Sequence, residues 1–338
     1  MLIVMHQQAS SEQVDAVLRQ IRDFGLEPHP IPGKTRTAIG ITGNVSAIDP
    51  THFEGLEGVK ECIRVTKPYK LASREMKVDD TYVDVADATI GKNAFTVIAG
   101  PCSVENETMI LRTAEFLRGL GVRLLRGGAY KPRTSPYAFQ GLGADGLELL
   151  AKARERTGIG IVTEIMDASQ LAEIAPIADM LQIGARNMQN FTLLKAVSRS
   201  DRPVLLKRGI SATLEEWLMA AEYILSGGNA RVAMCERGVR TFADHSRNTL
   251  DLSVIPPLQA LSHLPIVVDP SHGTGHRAYV GAMAKAALAA GAHGLMIEVH
   301  PDPARALSDG AQSLDFGEFQ KLWGELRTLA DALGRPIA

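Results

Sequence analysis

From Phe95 onward, short runs rich in β-branched residues alternate eight times with longer segments of helical periodicity. The predicted strands are Phe95–Ala99, Val122–Arg126, Gly160–Glu164, Met180–Ile183, Val204–Lys207, Arg231–Met234, Ile266–Val268 and Gly294–Val299. The clearest predicted helices are Met109–Arg118, Gly146–Arg156, Leu214–Leu225, Asn248–Leu261, Ala278–Ala289 and Phe316–Leu333. Strands that each precede a helix predict a closed (β/α)8 TIM barrel. An open doubly wound sheet is the alternative, but no glycine-rich dinucleotide fingerprint follows the first strand.

The first 66 residues have a different pattern, which predicts a small βαββαβ domain of the ferredoxin-like type. Its predicted elements, in chain order, are Leu2–Met5, Ser10–Phe24, Glu27–Ile31, Thr37–Thr42, Ser46–Glu54 and Val59–Val65. Residues 67–92 follow as a linker that ends in a short hairpin, with strands Tyr82–Val85 and Ala88–Ile90. We therefore expect three parts: a domain at 1–66, the linker and hairpin at 67–92, and the barrel at 93–338.

Composition excludes several classes of partner. The net formal charge is -2, so the chain has no broad basic field for nucleic acid or an anionic membrane. Its three cysteines, Cys62, Cys102 and Cys235, are too few and too scattered for a disulfide framework. No apolar run has the length of a membrane helix, and no signal peptide is recognisable. These features predict a soluble cytoplasmic protein.

Most of the predicted strands end in residues that can bind or react. In a closed barrel the carboxyl ends of the strands meet on one rim, where catalytic groups lie. The cations at these ends are Arg126, Lys131, Arg133, Arg186, Lys207, Arg208 and Arg237. Isolated surface arginines are the simpler interpretation of any one of them. As a set they predict a substrate with two or more anionic groups, because guanidinium and ammonium groups suit phosphate and carboxylate oxygens.

A second set of reactive residues combines sulfur, nitrogen and oxygen donors: Cys102, His272, Glu298 and Asp309. Such a mixed set suits one divalent ion, with Mn, Fe, Co and Zn as candidates. A catalytic Cys/His pair for acyl transfer is the competing interpretation, but it leaves the cations without a role. Cys62 and Cys235 are expected to be inert thiols.

The predicted strand ends also contain longer motifs: Gly-Pro-Cys-Ser at 100–103, Arg-Gly-Gly-Ala-Tyr-Lys-Pro-Arg-Thr-Ser at 126–135, Gly-Ala-Arg-Asn at 184–187, Leu-Lys-Arg-Gly at 206–209, Cys-Glu-Arg-Gly at 235–238 and Asp-Pro-Ser-His at 269–272. Together these motifs resemble 3-deoxy-D-arabino-heptulosonate 7-phosphate (DAHP) synthase of the type I-beta branch. The resemblance implies condensation of phosphoenolpyruvate with erythrose 4-phosphate, the first step of the shikimate pathway to the aromatic amino acids. A related family, 3-deoxy-D-manno-octulosonate 8-phosphate synthase, uses arabinose 5-phosphate instead. The Lys-Pro-Arg-Thr-Ser run separates the two.

The resemblance also implies roles for individual residues. Metal ligands would be Cys102, His272, Glu298 and Asp309, and the phosphoenolpyruvate carboxylate would contact Arg126 and Lys131. Its phosphate would contact Arg186, Lys207, Arg237 and the Ala185 amide, while Arg133 and Thr134 would hold the phosphate of erythrose 4-phosphate. Lys131 would also donate a proton. Together with the metal ligands Cys102 and His272, it completes the set of expected catalytic residues.

The amino-terminal domain resembles that of family members inhibited by tyrosine or phenylalanine, and the family favours a homotetramer. A domain used only for packing or oligomerisation is the alternative. A rival function for the whole chain is a non-catalytic sensor of phosphorylated metabolites. Such a sensor would need neither a Lewis acid nor a second substrate pocket.

Overall fold

Two apolar patterns in the sequence produce two units of structure. The structure is a computed structural model that describes residues 1–33, 36–44, 48–64, 67–91, 95–132 and 135–337. The first unit comprises Met1–Asp80 with Leu261–His263, and the second comprises Thr81–Ala260 with Leu264–Ala338. The predicted division at residues 66 and 92 stays a prediction.

The first unit has the predicted ferredoxin-like fold. Its elements are β1 (Leu2–Met5), α1 (Ser11–Asp23), β2 (Glu27–Pro32), β3 (Thr37–Thr42), α2 (Thr51–Glu54) and β4 (Val59–Ile63). The four strands form an antiparallel sheet in the order β2-β3-β1-β4. Residues from both helices pack on one face of this sheet and form a buried core that includes Ile3, Val17, Ile21, Ile39 and Phe53. Three prolines of β2 are tolerated because this strand lies at the edge of the sheet.

The second predicted helix of this unit, Ser46–Glu54, is too long. Ser46 lies outside the described residues, and the helix begins only at Thr51. Asp49 stands before that helix, and its carboxylate accepts a hydrogen bond of 3.0 Å from the Thr51 amide. An aspartate that binds a backbone amide two residues ahead favours a turn over a continued helix. Likewise, β4 ends at Ile63, and the predicted end at Val65 lies outside the described residues.

The second unit contains a closed barrel of eight parallel strands. Its strands are β7 (Thr96–Gly100), β8 (Leu124–Arg126), β9 (Gly160–Ile165), β10 (Met180–Ile183), β11 (Val204–Lys207), β12 (Val232–Glu236), β13 (Ile266–Val268) and β14 (Gly294–Glu298). The barrel closes in chain order, since β14 pairs with β7. All eight predicted strands are present, and the predicted (β/α)8 class is confirmed.

Helices follow the strands around the outside of the barrel. Their bounds are α3 (Glu107–Leu120), α4 (Ala144–Thr157), α5 (Leu171–Ile174), α6 (Phe191–Val197), α7 (Leu214–Ser226), α8 (Ile255–Leu261), α9 (Pro270–Thr274), α10 (Arg277–Ala289) and α11 (Phe316–Ala332). Several are capped by polar side chains; at α7, for example, Thr213 and Glu216 form a reciprocal capping box. In the described part of the chain, no helix is long and apolar enough to cross a membrane.

A short hairpin precedes the barrel. Its strands are β5 (Val83–Val85) and β6 (Ala88–Ile90), close to the predicted bounds. The apolar side chains of the hairpin belong to the same buried cluster as the inward residues Ile98, Leu124 and Met296 of the barrel strands. The hairpin therefore contributes to the barrel core, which leaves the opposite rim, at the carboxyl ends of the strands, for a binding site.

The predicted helix Asn248–Leu261 was wrong over its first half. Thr249 instead forms an antiparallel bridge with Val239, and the Asn248 side chain donates to the carbonyl of His272 over 3.1 Å. The α-helix begins only at Ile255. Periodicity alone could not reveal that these residues make tertiary contacts with the neighbouring loop.

Arg208 was grouped with the cations that would hold an anion, and this grouping was also wrong. Its guanidinium Nη1 lies 3.0 Å from Glu236 and 2.8 Å from Asp251, and its Nε donates to the carbonyl of Ala212. The guanidinium also lies 5.8 Å from the ring centre of Trp217. Burial raises the pKa of Glu236, while Arg208 and two backbone amides favour the charged carboxylate. Arg208 therefore neutralises a fully buried carboxylate behind the barrel wall.

We expect Arg208→Met to lower the free energy of unfolding by roughly 3–5 kcal/mol, because Glu236 would remain buried without its cation. The measurement is chemical or thermal denaturation of the purified chain. Arg199→Met is the matched control, since Arg199 is exposed on the outside of the barrel and should change stability by less than about 0.5 kcal/mol. An unchanged stability together with weaker binding of an anionic substrate would contradict the structural role.

Candidate active site

A cavity of about 480 Å³ opens at the carboxyl ends of the barrel strands. Its walls combine cations, carboxylates, a thiol and an imidazole. The lining residues are Cys102, Arg126, Lys131, Pro132, Ala138, Glu164, Gln182, Gly184, Ala185, Arg186, Lys207, Ile210, Arg237, Arg240, Arg247, Asn248, His272 and Asp309. Apart from Arg208 and the residues that the structure leaves undescribed, the predicted cations therefore meet at one mouth.

Three of these cations are buried and paired with carboxylates from other strands. Arg126, the last residue of β8, forms an ion pair with Glu298, the last residue of β14. Lys207 lies 2.5 Å from an oxygen of Asp269, and the Lys131 ammonium lies 4.0 Å from Glu164. These pairs were not predicted, because the partners are remote in the chain and meet only when the barrel strands pair. They reduce the repulsion between the cations before any substrate binds.

Arg237 differs from its neighbours. Its side chain is buried, yet among the residues that the structure describes its Nη1 has no hydrogen-bond partner, and neither has the buried side-chain oxygen of Gln182. Burial lowers the pKa of Arg237, and the nearby charge of Asp269 partly offsets this shift. A buried guanidinium nitrogen without an acceptor is costly in free energy, so its position on the cavity wall indicates an anionic ligand.

Cys102, Glu298 and Asp309 form a compact cluster. One donor atom from each lies within 4.8 Å of the others, a spacing compatible with a shared metal ion. The Cys102 thiol lies 3.2 Å from the Asp309 carboxylate. Burial raises the pKa of this thiol to about 11, although Lys131 opposes the shift. Without a metal the thiol is therefore protonated, and binding of an ion would release a proton.

His272 directs one ring nitrogen toward this cluster. Its Nε2 lies 3.4 Å from Glu298 and 3.9 Å from Asp309. On the other side of the ring, Nδ1 lies 2.7 Å from Asp269, although the two groups are not aligned as in a good hydrogen bond. Burial lowers the pKa of His272, against the opposing effect of Asp269, so that the neutral ring is favoured. A neutral imidazole that contacts a carboxylate through its far nitrogen is a typical metal ligand.

Two loops hold the cluster in place. Next to the Cys102–Asp309 contact, the hydroxyls of Ser103 and Ser308 lie 2.6 Å apart, and Glu105 accepts a 2.8 Å hydrogen bond from the Leu307 amide. Asp309 itself adopts a left-handed backbone conformation with φ 51°. Such a conformation is unfavourable for a residue with a side chain, so the surrounding contacts must maintain it. The donor set is therefore arranged by the protein itself.

The structure does not test every predicted residue. Arg133 and Thr134 lie outside the described residues. Arg186 is exposed at the cavity, where its Nη1 donates to the carbonyl of Pro132 over 3.3 Å, and Ala185 lines the same wall.

The sequence interpretation gave no role to several residues of the site. Glu164 and Asp269 stand at strand ends, which was a usable signal, but their partners could not be identified from the sequence. Arg240 and Arg247 lie on the loop after β12, and Arg247 is 3.8 Å from Asp309. Gln312 donates to Glu298 over 2.6 Å, and no sequence pattern identifies it.

Comparisons with known proteins agree with this architecture. Residues 1–67 match the DAHP synthase ferredoxin-like domain, and residues 75–332 match the DAHP synthetase I family. The chain is 50% identical over 334 residues to the phospho-2-dehydro-3-deoxyheptonate aldolase of Thermotoga maritima, with 99% of each chain covered. The crystal structure of DAHP synthase from that organism has a TM-score of 0.80 at 49% identity, covering 100% of this chain and 99% of that one.

A second relative is more distant. The chain is 36% identical over 261 residues to the 2-dehydro-3-deoxyphosphooctonate aldolase of Syntrophobacter fumaroxidans, which covers 72% of this chain and 90% of the relative. The resemblance inferred from the motifs is thus confirmed over both units. The chain belongs to the DAHP synthetase I family and is an enzyme of the transferase-type aldol condensation class.

Proposed function

We propose that this chain is a DAHP synthase, which converts phosphoenolpyruvate, erythrose 4-phosphate and water into DAHP and phosphate. The observation that carries the proposal is the buried nitrogen Nη1 of Arg237, which has no partner among the described residues, in a cavity that also contains a mixed thiol, imidazole and carboxylate cluster. An anion site beside a metal-type donor set suits a condensation between a phosphorylated nucleophile and a carbonyl.

Phosphoenolpyruvate has two anionic groups, and the cavity offers two sets of cations. We propose that Arg186, Lys207 and Arg237, with the Ala185 amide, bind the phosphate. Arg126 and Lys131 would bind the carboxylate. The buried cations already have carboxylate partners, so phosphoenolpyruvate would replace or share these ion pairs when it binds. Its phosphate would also supply the acceptor that Nη1 of Arg237 lacks among the described residues.

The second substrate would be erythrose 4-phosphate. Arg133 and Thr134 are proposed to bind the phosphate of erythrose 4-phosphate, on the strength of the Lys-Pro-Arg-Thr-Ser motif alone. Its aldehyde would be presented to the thiol, imidazole and carboxylate cluster. Alignment of two anions that repel in solution is then a main contribution of the protein to the rate.

The donor set fits a divalent ion held by Cys102, His272, Glu298 and Asp309. Manganese, iron, cobalt and zinc all accept such mixed ligands, and the residues alone do not select among them. When bound, the ion would polarise the aldehyde carbonyl as a Lewis acid.

We propose that C3 of the enol forms the new bond to the aldehyde carbon. Positive charge then develops at C2, water adds there with loss of a proton, and the C–O bond to phosphate breaks to leave a ketone. The buried Lys131 ammonium would give its proton to the alkoxide that forms at the former aldehyde oxygen. Glu164, whose carboxylate lies 4.0 Å from the ammonium, would accept the proton that the added water loses and return it to Lys131.

The substrate assignment is tested by offering the purified chain phosphoenolpyruvate with either aldose phosphate. We expect kcat/KM with erythrose 4-phosphate to exceed that with arabinose 5-phosphate by more than about tenfold. The rate is measured as the loss of the ultraviolet absorbance of phosphoenolpyruvate. Preference for arabinose 5-phosphate would assign the chain to the octulosonate reaction instead, and turnover of neither would favour the sensor function.

Lys131→Met should lower kcat by about 10²–10⁴-fold, the usual contribution of a positioned proton donor. Steady-state kinetics with both substrates measure it. Lys152→Met is the matched control, because Lys152 is exposed on the outer face of α4 and pairs only with Glu107 among the contacts described for it. A change confined to the KM for phosphoenolpyruvate would show that Lys131 binds substrate without donating a proton.

We also propose that the amino-terminal unit binds tyrosine or phenylalanine and so inhibits the enzyme. Support comes from the match of residues 1–67 to the ferredoxin-like domain of DAHP synthases. An effector inhibits only if it binds one conformation or domain arrangement better than another. The homotetramer expected from the family stays a prediction.

Saturating tyrosine or phenylalanine should therefore weaken binding of phosphoenolpyruvate by roughly 5-fold or more, and phosphoenolpyruvate should weaken binding of the amino acid by the same factor. Calorimetric titration in both orders measures this reciprocity, with histidine as the control amino acid. If neither aromatic amino acid binds, the unit has a packing or oligomerisation role.

A further inference from the structure

We propose that Gln312 and Arg247 are positioning residues, which orient the carboxylates of Glu298 and Asp309 for a divalent ion. This inference rests on the metal site of the proposed function. Neither residue belongs to the donor cluster itself. Both contact it through hydrogen bonds or ion pairs from one side.

Gln312 is buried between two charged groups. Its Nε2 donates to Oε2 of Glu298 over 2.6 Å, and its Oε1 accepts from Nη1 of Arg247 over 3.0 Å. Because a carboxylate only accepts and a guanidinium only donates, these neighbours determine which way the amide faces. Both oxygens of Glu298 are then occupied, since Arg126 pairs with Oε1. The rotation of the carboxylate is therefore fixed from both sides.

Arg247 connects the two carboxylates. Besides its bond to Gln312, its Nη1 lies 3.8 Å from Oδ1 of Asp309, while the other oxygen, Oδ2, is the one that contacts Cys102. Contact of Arg247 with Oδ1 thus leaves Oδ2 directed into the cluster. Asp309 needs such support, because a left-handed backbone conformation is unfavourable for a residue with a side chain.

The backbone of Arg247 is itself held against the segment that carries His272. Its amide donates to the carbonyl of Thr274 over 2.8 Å, and Gly275 faces its side chain. Gly275 has φ 72°, and a β-carbon there would lie 2.5 Å from that of Arg247. The absence of a side chain at Gly275 allows this close approach. Arg247 therefore contacts segments that contribute His272 and Asp309, and reaches Glu298 through Gln312.

The charge of Arg247 and its proposed positioning role predict opposite changes in metal affinity when the residue is replaced. As a cation near a cation site, Arg247 repels the ion, so removal of its charge should strengthen metal binding. If Arg247 instead orients Asp309 and Gln312, its removal should weaken metal binding. Arg240 supplies the matched control, because it is an exposed arginine of the same cavity and loop, and no contact is described between its side chain and the donor residues.

The test is titration of the metal-free full-length chain with Co²⁺. Binding is followed by the near-ultraviolet charge-transfer band between the thiolate and Co²⁺, which requires Cys102 and should be absent in Cys102→Ala. Gln312→Met, which is close to isosteric, should weaken Co²⁺ binding about 10- to 100-fold, the usual effect of losing a group that orients a ligand. Arg247→Met should weaken it several-fold, whereas Arg240→Met should leave it unchanged or slightly stronger.

The possible failures are distinguishable. If the unaltered chain shows no band that depends on Cys102, the metal site of the proposed function is wrong and this inference fails with it. If the band is present but Gln312→Met and Arg247→Met bind Co²⁺ as tightly as the unaltered chain, only the positioning role is overturned. Should Gln312→Met fail to fold by circular dichroism, the comparison of Arg247→Met with Arg240→Met decides alone.

Discussion

Charge compensation at the barrel rim is the constraint on which the site depends. Burying an isolated cation or carboxylate costs several kcal/mol, so each buried charge requires a partner. The partners come from distant parts of the chain: Arg126 and Glu298 are 172 residues apart, and Lys207 and Asp269 are 62 apart. Pairing of β14 with β7, and of β7 with β8, brings Glu298 to Arg126, and pairing of β11, β12 and β13 brings Asp269 to Lys207. The charged site is therefore assembled by the pairing of the barrel strands.

The same carboxylates connect the cation site to the donor cluster. The same oxygen of Glu298, Oε1, contacts both Arg126 and His272, and the same oxygen of Asp269, Oδ2, contacts both Lys207 and His272. Burial alone would raise the pKa of Asp269, but His272 and Lys207 hold it well below its usual value. A change of charge among the cations consequently alters the electrostatic potential at the donor cluster, and a change of charge in the cluster alters the potential at the cations. The sequence predicted the cations and the metal-donor residues as two separate sets, but in the folded barrel they form one electrostatic unit.

Strand ends could be predicted from the sequence, but the direction and partners of their side chains could not. Lys207 and Arg208 show the limit most clearly, because they are adjacent in the chain. Side chains alternate along a strand, so Lys207 faces the cavity while Arg208 turns to Glu236 and Asp251 behind the wall. The helix predicted from Asn248 was wrong for a related reason, since tertiary hydrogen bonds outweighed local periodicity. Gln312 could not be predicted, because it acts through a contact that exists only in the folded barrel.

The donor cluster shows how a loop without a distinctive sequence acquires a defined geometry. The loop of Asp309, Ala-Leu-Ser-Asp-Gly-Ala-Gln at 306–312, has no distinctive motif, yet three successive contacts join it to the segment that begins at Cys102. Those contacts pair the thiol with the carboxylate, one serine with another, and Glu105 with the backbone. Two of these contacts, Ser103 with Ser308 and Glu105 with the Leu307 amide, involve no proposed metal ligand, so they would reduce the conformational entropy that the loop loses when an ion binds. The strained backbone at Asp309 is thus offset by contacts on both sides of the loop.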